Sequence, residues 1–402
     1  MSFPRRNAAR PRRRRTEQRR TDLRSPAAAF VAILATAALA VTGCDFSSAD
    51  RDSSAGTFSE NPDAGIMSVP PQPPASQDNG DQGAPPATEA PGPCVDPDPA
   101  VIITCLSPTS AVLPTDNEGN SAMVAERTTG NIIAGARGSD HRVVASFPVD
   151  PAGDGGLLDF ALSPTYDQDQ LIYAYVSTAS DNEVVRIAPG DTPKPILTGI
   201  PKGTTGNGGS LYFRSPGELL VATGNAGDPA AAANPASLAG KLLSVTDLTS
   251  GSGIRPKILM SGLGAAASLC AVADGSAVYL TDRAPTEDRL QQISATGAAH
   301  TLWTWPDKPG IAGCAATAGA LFVSATTTRQ ILELNAPTRD RPTVSAPSVV
   351  LDKKYGAVGP LAALPSGLLQ FGTVNKDAGG KPVSTDDRVV RYLVPASSDS
   401  RA

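Results

Sequence analysis

A segment led by glycine recurs through most of the chain at intervals that vary little. Each copy passes through small and apolar residues to a turn, and a strand rich in β-branched or aromatic residues follows. Successive copies begin between 46 and 56 residues apart, at Gly155, Gly208, Gly264, Gly313 and Gly359. A self-similar period of this length is typical of repeated supersecondary units. The repeat therefore requires a core built from copies of one unit.

Each repeated unit is predicted to consist of short strands. Runs such as LIYAYVST (171–178), GELLVATG (217–224) and ALFVSAT (320–326) have strand length, and no long helical period is present. An earlier unit fits at 121–135 with 142–150, which makes six. Six units of this length predict an all-β fold, a six-bladed β-propeller of four-stranded blades over residues 94–396. The small residues of each opening strand suit the crowded axis of a propeller.

The first 43 residues read as a targeting segment. Ten arginines between Arg5 and Arg24 precede an apolar run, Ala27–Val41, which is too short to span a membrane and suits a signal-peptide core. The run ends in small residues before Cys44 and resembles a bacterial lipobox. We expect cleavage before Cys44 and attachment of lipid to its thiol. A chance cysteine after an ordinary signal sequence is the alternative.

Residues 44–93 are predicted to be a disordered tether, and residues 397–402 a disordered tail. Pro, Ser, Gly and Asp dominate the tether, so it cannot bury enough surface to offset its ordering entropy. The expected location is the cell membrane, with the propeller lipid-anchored on the extracytoplasmic face. Removing residues 1–43 changes the formal charge from −5 to −13, because ten arginines leave with Glu17 and Asp22. This acidic balance argues against a nucleic-acid partner.

Four cysteines remain in the predicted propeller: Cys94, Cys105, Cys270 and Cys314. An even number in an exported chain indicates two disulfides, for which three connectivities are possible. Short-range closure favours Cys94–Cys105 and leaves Cys270–Cys314. The second pair falls in opening strands of consecutive units, where it would join neighbouring blades near the channel. No metal site is predicted, because CxxC spacing and the histidines of mixed zinc sites are missing.

Three sequence blocks resemble one enzyme family. MVAERTTGNI (123–132), the segment 150–177, and 206–229 followed by 237–245 are similar, in order and spacing, to the soluble PQQ-dependent glucose and sorbosone dehydrogenases. The resemblance implies a quinoprotein glucose dehydrogenase-like propeller. The lipobox, the Pro-rich tether and WTWPDKPG (303–310) further resemble actinobacterial cell-envelope lipoproteins that carry this type of propeller.

The resemblance also shows where this chain departs from the family. The family's catalytic histidine, a general base, corresponds to Gly206, which cannot accept a proton. An Arg–Asn pair that grips the quinone carboxylates corresponds to Gly264 and Ala265. The chain has only two histidines, His141 and His300, both in turn-like contexts away from these positions. The resemblance therefore implies a degenerate catalytic site.

Several polar residues follow the innermost or second strands, where propeller loops converge on the channel mouth. The predicted ligand-binding candidates are Asp154, Gly206, Asn207, Asp228, Asp282 and Glu287. Ordinary solvated turns are the alternative for each of them. Trp303 and Trp305 are interpreted as packing between blades rather than as a sugar-stacking platform. Glu126 and Arg127 are predicted to form an ion pair at a strand end.

Three functions are compatible with these observations. The leading hypothesis is a lipid-anchored propeller that binds a ligand, glycan or envelope protein without catalysis. The competing hypothesis is an active aldose dehydrogenase that uses PQQ, Ca²⁺ and an unrecognised base. PQQ and calcium are expected only in that second case. A third possibility is an envelope-assembly scaffold that uses the sides of the blades.

Overall fold

The strands of the protein are arranged as six four-stranded antiparallel sheets around a central channel. The computed structural model describes residues 94–251, 253–377 and 382–395, and the predicted signal peptide, tether and tail lie outside these ranges. The prediction of a six-bladed β-propeller is confirmed. Among the described residues, no helix is long and apolar enough to cross a membrane.

The first five blades each consist of four consecutive strands, of which the first is innermost. Blade 1 comprises β2 (Thr109–Pro114), β3 (Ser121–Glu126), β4 (Asn131–Ala136) and β5 (Arg142–Ser146). Blade 2 comprises β6 (Leu157–Leu162), β7 (Ile172–Ser177), β8 (Asn182–Ile187) and β9 (Lys194–Ile200). Blade 3 comprises β10 (Ser210–Ser215), β11 (Glu218–Ala222), β12 (Lys241–Val245) and β13 (Lys257–Ser261).

The remaining blades continue in chain order. Blade 4 comprises β14 (Ala267–Ala271), β15 (Val278–Arg283), β16 (Asp288–Ile293) and β17 (Ala299–Trp305). Blade 5 comprises β18 (Ile311–Ala316), β19 (Ala320–Ala325), β20 (Gln330–Asn335) and β21 (Ser348–Asp352). Blade 6 contains β22 (Val358–Ala363), β23 (Leu369–Thr373) and β24 (Val389–Tyr392). Two short helices, α1 (Tyr166–Asp169) and α2 (Pro229–Ala233), lie in connecting loops.

The fourth strand of blade 6 comes from the other end of the propeller sequence. It is β1 (Val101–Ile103), which pairs antiparallel with β24 through Val101–Val390 and Ile103–Val389. The ring is therefore closed by hydrogen bonds between the two ends of the domain, which leaves β24 no open edge. The sequence pattern predicts six units but leaves β1 and the innermost strand β2 unassigned.

The core is divided among the blade interfaces, with one apolar cluster at each of the six. Successive residues of one strand face different clusters. In β11, Leu219 and Val221 pack against blade 2, and Leu220 and Ala222 pack against blade 4. Because both faces of the central strands are buried, their sequences are continuous apolar runs rather than alternating ones. Trp305 lies in the cluster between blades 4 and 5, as the interpretation of the tryptophans predicted.

Each blade interface is also closed near the channel by a specific polar or covalent link. Both expected disulfides, Cys94–Cys105 and Cys270–Cys314, are present, and the second joins innermost strands of blades 4 and 5. The other links use short polar side chains: Ser110 to the Leu157 carbonyl (2.6 Å), Asp159 to the Leu211 amide (2.7 Å), Ser210 to the Leu269 amide (3.1 Å), Ser324 to the Gly359 carbonyl (2.6 Å) and Thr109 to the Thr373 carbonyl (2.9 Å). Many polar groups around the channel therefore hold blades together.

Candidate functional site

A cavity of about 690 Å³ lies on the propeller axis and is lined by the innermost strand of every blade. Its volume is within the range of small-molecule sites. Apolar side chains from β2, β6 and β10 form much of its wall. Four charged residues lie where the innermost strands begin: Arg127, Asp154, Arg283 and Asp377. Asp159 adds a carboxylate from within β6.

Asp154 lines this cavity, as the sequence predicted for a channel-mouth residue, and it holds the loop that leads into β10. Its Oδ2 accepts a hydrogen bond from the Gly206 amide (2.7 Å). Its Oδ1 accepts one from the Asn207 side chain (2.6 Å) and one from the Asn207 amide (3.2 Å). Three of the predicted site residues are thus brought together, and the carboxylate is largely occupied by the loop.

Asn207 is fully buried beneath the cavity rim. Its Nδ2 donates to Asp154 and to the Gly203 carbonyl (2.9 Å), and its Oδ1 accepts from the Gly203 amide (2.9 Å). The side chain of Asn182 also donates to Oδ1 (3.2 Å). The hydrogen-bonding capacity of this amide is used within the protein, so Asn207 supports the loop and presents no free group to a ligand.

Gly206 occupies an enclosed position. Its φ of +79° belongs to the left-handed region. A Cβ atom added there would lie 2.5 Å from Asn225 Oδ1 and 2.5 Å from the Gly227 amide nitrogen. A side chain at this position would therefore require rearrangement of the loop after β11, which contains Asn225 and Gly227. The place at which the resemblance positions a histidine is closed to any side chain in this conformation.

Gly264 is enclosed in the same way. A Cβ atom there would lie 1.7 Å from the Arg283 carbonyl oxygen. The Gly264 amide donates to Asp282 Oδ1 (2.7 Å), and its carbonyl accepts from the Asn225 amide (2.9 Å). The position at which the resemblance places a quinone-binding arginine is thus filled by backbone.

The two arginines that do line the cavity are bonded to the protein. Arg127 forms a bidentate ion pair with Asp377, at 2.7 and 2.9 Å, and also donates to the Gly155 carbonyl. The predicted Glu126–Arg127 pair is wrong, because the Glu126 carboxylate instead accepts from the Ser107 amide and the Thr129 hydroxyl. Arg127 therefore pairs with a carboxylate that is distant in sequence but adjacent in the ring, and not with its neighbour in the chain.

Arg283 donates to the carbonyls of Ile311 and Gly310, which connects blade 4 to blade 5. Burial lowers the pKa of this guanidinium, and Asp288 and Asp154 partly oppose the shift. The side chain is therefore held by neutral carbonyls in a partly desolvated setting. Both cavity arginines already donate to protein atoms, and only Nη1 of Arg283 donates to none of the described residues.

The other candidates do not line the cavity. Asp228 caps α2 by accepting the Ala230 amide (2.8 Å) and is exposed. Asp282 is buried, and Arg289 Nε donates to it at 3.0 Å. Glu287 is half-buried in the turn between β15 and β16. Cys44 lies outside the described residues. Both histidines are exposed, His141 before β5 and His300 on the outermost strand of blade 4.

Asp159 is a cavity residue that the sequence analysis missed. Its carboxylate accepts the Leu211 amide of blade 3 (2.7 Å) and the Phe160 amide (2.8 Å). Burial raises its pKa to about 6, and these hydrogen bonds only partly oppose the rise. A signal for it was present, since one acidic residue interrupts the apolar strand LLDFAL. A half-buried carboxylate in an apolar strand is uncommon without a partner or a function.

A quinone tricarboxylate fits this cavity poorly. Its carboxylates require cationic donors, but Arg127 is bonded to Asp377 and Arg283 to backbone carbonyls. Asp154 and Asp159 add negative charge. Within the part of the chain that the structure describes, no group of three His, Cys, Asp or Glu residues could hold a metal ion. The residues present therefore fit a quinone tricarboxylate poorly, and the described residues contain no side-chain cluster of this kind for calcium.

Comparison with known proteins agrees with the fold. Residues 108–257 match the family model of glucose/sorbosone dehydrogenase. The protein is similar to the PQQ-bound aldose sugar dehydrogenase of Streptomyces coelicolor, with 24% identity, a TM-score of 0.62, and coverage of 72% of this chain and 95% of that one. It is also similar to a putative oxidoreductase (glucose dehydrogenase) of Thermus thermophilus, with 25% identity, a TM-score of 0.62, and coverage of 73% and 98%.

A third similar structure is the apo form of the soluble aldose sugar dehydrogenase of Escherichia coli. The identity is 20%, the TM-score 0.59, and the coverage 73% of this chain and 98% of that one. Among curated proteins no match was found. The chain thus carries a glucose/sorbosone dehydrogenase domain match on a six-bladed propeller of the PQQ-dependent sugar dehydrogenase type.

Proposed function

We propose that this protein is a lipid-anchored extracytoplasmic propeller that binds a ligand, glycan or envelope partner and does not oxidise it. One observation carries the non-catalytic part. Gly206 stands where the resemblance expects a general base, and a Cβ there would contact Asn225 and the Gly227 amide at 2.5 Å. General-base catalysis requires a proton acceptor within hydrogen-bond reach of the substrate hydroxyl.

The cavity charges support the same proposal. Arg127 and Arg283 are bonded within the ring, and the Gly264 position leaves no space for another cationic side chain. An aldose dehydrogenase that uses PQQ and calcium remains the competing function. It would need a different base and a different arrangement of the cavity arginines.

Turnover measurements distinguish the two functions. The full chain, purified in detergent, would be supplied with PQQ, Ca²⁺, a panel of aldoses and an artificial electron acceptor. We expect no acceptor reduction above a boiled control, and no heat of PQQ binding by calorimetry. An active soluble aldose sugar dehydrogenase under identical conditions is the positive control. Sugar-dependent reduction by this chain would refute the non-catalytic proposal.

Membrane attachment is proposed from the apolar run Ala27–Val41 and the small residues before Cys44. In a host that processes lipoproteins, Cys44→Ala should move the protein from the membrane fraction to the soluble fraction. Ser47→Ala, three residues away, retains the thiol and serves as the matched control. Retention of Cys44→Ala in washed membranes would contradict lipid attachment at this residue.

A further inference from the structure

Among the described residues, the cavity lining carries one more carboxylate than arginine. Its lining includes two arginines, Arg127 and Arg283, and three carboxylates, Asp154, Asp159 and Asp377. Asp377 is paired with Arg127. Asp159 forms no salt bridge with any cationic group in the described ranges, and its partners are uncharged. A carboxylate that is partly removed from water is costly to keep charged without a counter-ion, and a cationic ligand would supply one.

The walls around this carboxylate favour an apolar ligand body. Leu113, Leu162 and Phe213 line the cavity and remain half-buried, so each keeps some surface open. The hydroxyl of Ser110 is bonded to the Leu157 carbonyl, and that of Ser210 to the Leu269 amide. Apolar atoms make up most of the cavity wall that remains open. Mostly apolar walls with a few placed polar groups are typical of sites for small amphipathic molecules.

A second polar group lies at the same interface between blades 2 and 3. Tyr175 is directly opposite Asp159 in the pairing of β6 with β7. Its hydroxyl is buried and has no hydrogen-bond partner within the described residues. The Tyr175 ring packs under Gly209, a cavity-lining residue whose added Cβ would come within 2.7 Å of Tyr175 Cζ. Buried hydroxyls are normally paired, so this one is an unsatisfied polar atom behind the cavity wall, and Tyr175 itself does not line the cavity.

We propose that the channel cavity binds a small, mostly apolar molecule that carries an amine or other cationic group, with Asp159 as its counter-ion. The inference rests on the proposed binding function and names the chemical class of the ligand. The cationic group would contact the Asp159 carboxylate. The apolar body would lie against the leucine and phenylalanine side chains of β2, β6 and β10. This class differs from the sugars named for the similar structures.

Three probes of one shape test the charge preference: benzylamine, benzyl alcohol and benzoate. Binding to the full chain in detergent would be measured by calorimetry and by ligand-observed NMR at pH 7.5. We expect benzylamine to bind at least about tenfold more tightly than benzyl alcohol, the usual scale for a hydrogen bond to a charged group. Benzoate should not bind. Absence of benzylamine binding, or equal binding of the three probes, would overturn the proposal.

Variants locate the binding site. Asp159→Asn should weaken benzylamine binding by about tenfold or more and leave benzyl alcohol binding unchanged, because only the charge is removed. Asp167→Asn makes the same change on the exposed surface of α1 and controls for net charge and for partition into detergent. Unchanged benzylamine affinity in Asp159→Asn would refute the assignment.

This experiment can fail independently of the proposed function. Turnover of aldoses would refute the non-catalytic function whatever benzylamine does. Binding of glucose without turnover, together with no binding of benzylamine, would support the non-catalytic function and overturn the ligand class.

Discussion

At the scale of single residues, two enclosed glycines stand at the positions where the resemblance to the sugar dehydrogenases places a histidine and an arginine. Gly206 is enclosed by the loop after β11, and Gly264 by the backbone at the end of β15, which occupy the space of a side chain. Asn225 contributes to the first enclosure through its side-chain oxygen. Backbone and side-chain atoms thus fill both positions. A histidine at 206 or an arginine at 264 would need a new backbone conformation.

Gly206→Ala should lower the free energy of unfolding more than an equivalent change at an open glycine. Gly190→Ala is the matched control, since Gly190 has a similar φ of +75° but nothing within 4 Å of an added Cβ. The control should cost about 1–2 kcal/mol for the left-handed backbone alone. Gly206→Ala should cost about 1–3 kcal/mol more, the usual range for overpacking. Urea unfolding measures both, and equal losses would contradict the enclosure.

Asp159 should make stability depend on pH. Burial raises its pKa from 3.8 to about 6, so the folded state binds this proton more tightly than the unfolded state. Its contribution is fully present below pH 3.8 and is lost as the pH rises through about 6. Asp159→Asn should remove that loss, on the order of 1–3 kcal/mol between pH 4 and 7.

Thermal or urea unfolding of wild type and Asp159→Asn across this pH range measures the difference. Asp387, whose pKa burial also raises to about 6, remains in both proteins and contributes equally to their curves. Parallel curves for the two proteins would show that Asp159 titrates normally.

At the scale of elements, the two disulfides constrain different parts of the ring. Cys94–Cys105 encloses the short closing strand β1 within an 11-residue separation. Cys270–Cys314 joins the innermost strands of blades 4 and 5 across 44 residues. In the chain-entropy model, the cross-link that closes the longer loop restricts the unfolded state more.

Replacing Cys270 and Cys314 together by serine should therefore destabilise the propeller more than replacing Cys94 and Cys105. Chain entropy gives losses of about 4 and about 3 kcal/mol respectively. Unfolding of the two double variants and the wild type under oxidising conditions measures the order. A larger loss from the Cys94–Cys105 pair would indicate that closure of the ring limits stability more than chain entropy does.

At the scale of the whole molecule, closure of the ring makes the blades depend on one another. β1 adds the fourth strand to blade 6, and its residues also enter two apolar clusters, Val101 between blades 5 and 6 and Ile103 between blades 6 and 1. Loss of β1 would expose the edge of β24 and open the final interface. Unpaired strand edges promote pairing with other chains.

Ile103→Asp should destabilise the whole propeller in a single transition and increase aggregation. Ile103 is buried, and an unpaired charge there should cost about 3 kcal/mol or more. Val95→Asp, at a side chain that is 69% exposed, is the control and should have little effect. Calorimetry with light scattering measures both. A separate low-temperature transition confined to blade 6 would contradict cooperative closure.

Much of the fold could be predicted from local sequence. Buried apolar strands such as LLVA in β11 recur from blade to blade, and a glycine opens most units. The number of units can therefore be counted from the sequence. The link at Cys270–Cys314 could be placed because both cysteines fall at equivalent positions of consecutive units. β1 was missed because three residues, VII, carry too little pattern to indicate their partner.

Only those features of the candidate site that follow from the identity of a single residue could be predicted from the sequence. The sequence determined that Gly206 is no base, that the propeller has six blades, and that Asp154 lies at the channel mouth. Only the tertiary structure decided that Arg127 pairs with Asp377, 250 residues away, and that Asp159 lines the cavity with no cationic partner in the described part of the chain. The physical reason is that charge compensation and enclosure depend on atoms from several blades, whose approach is set by ring closure and not by neighbours in the chain.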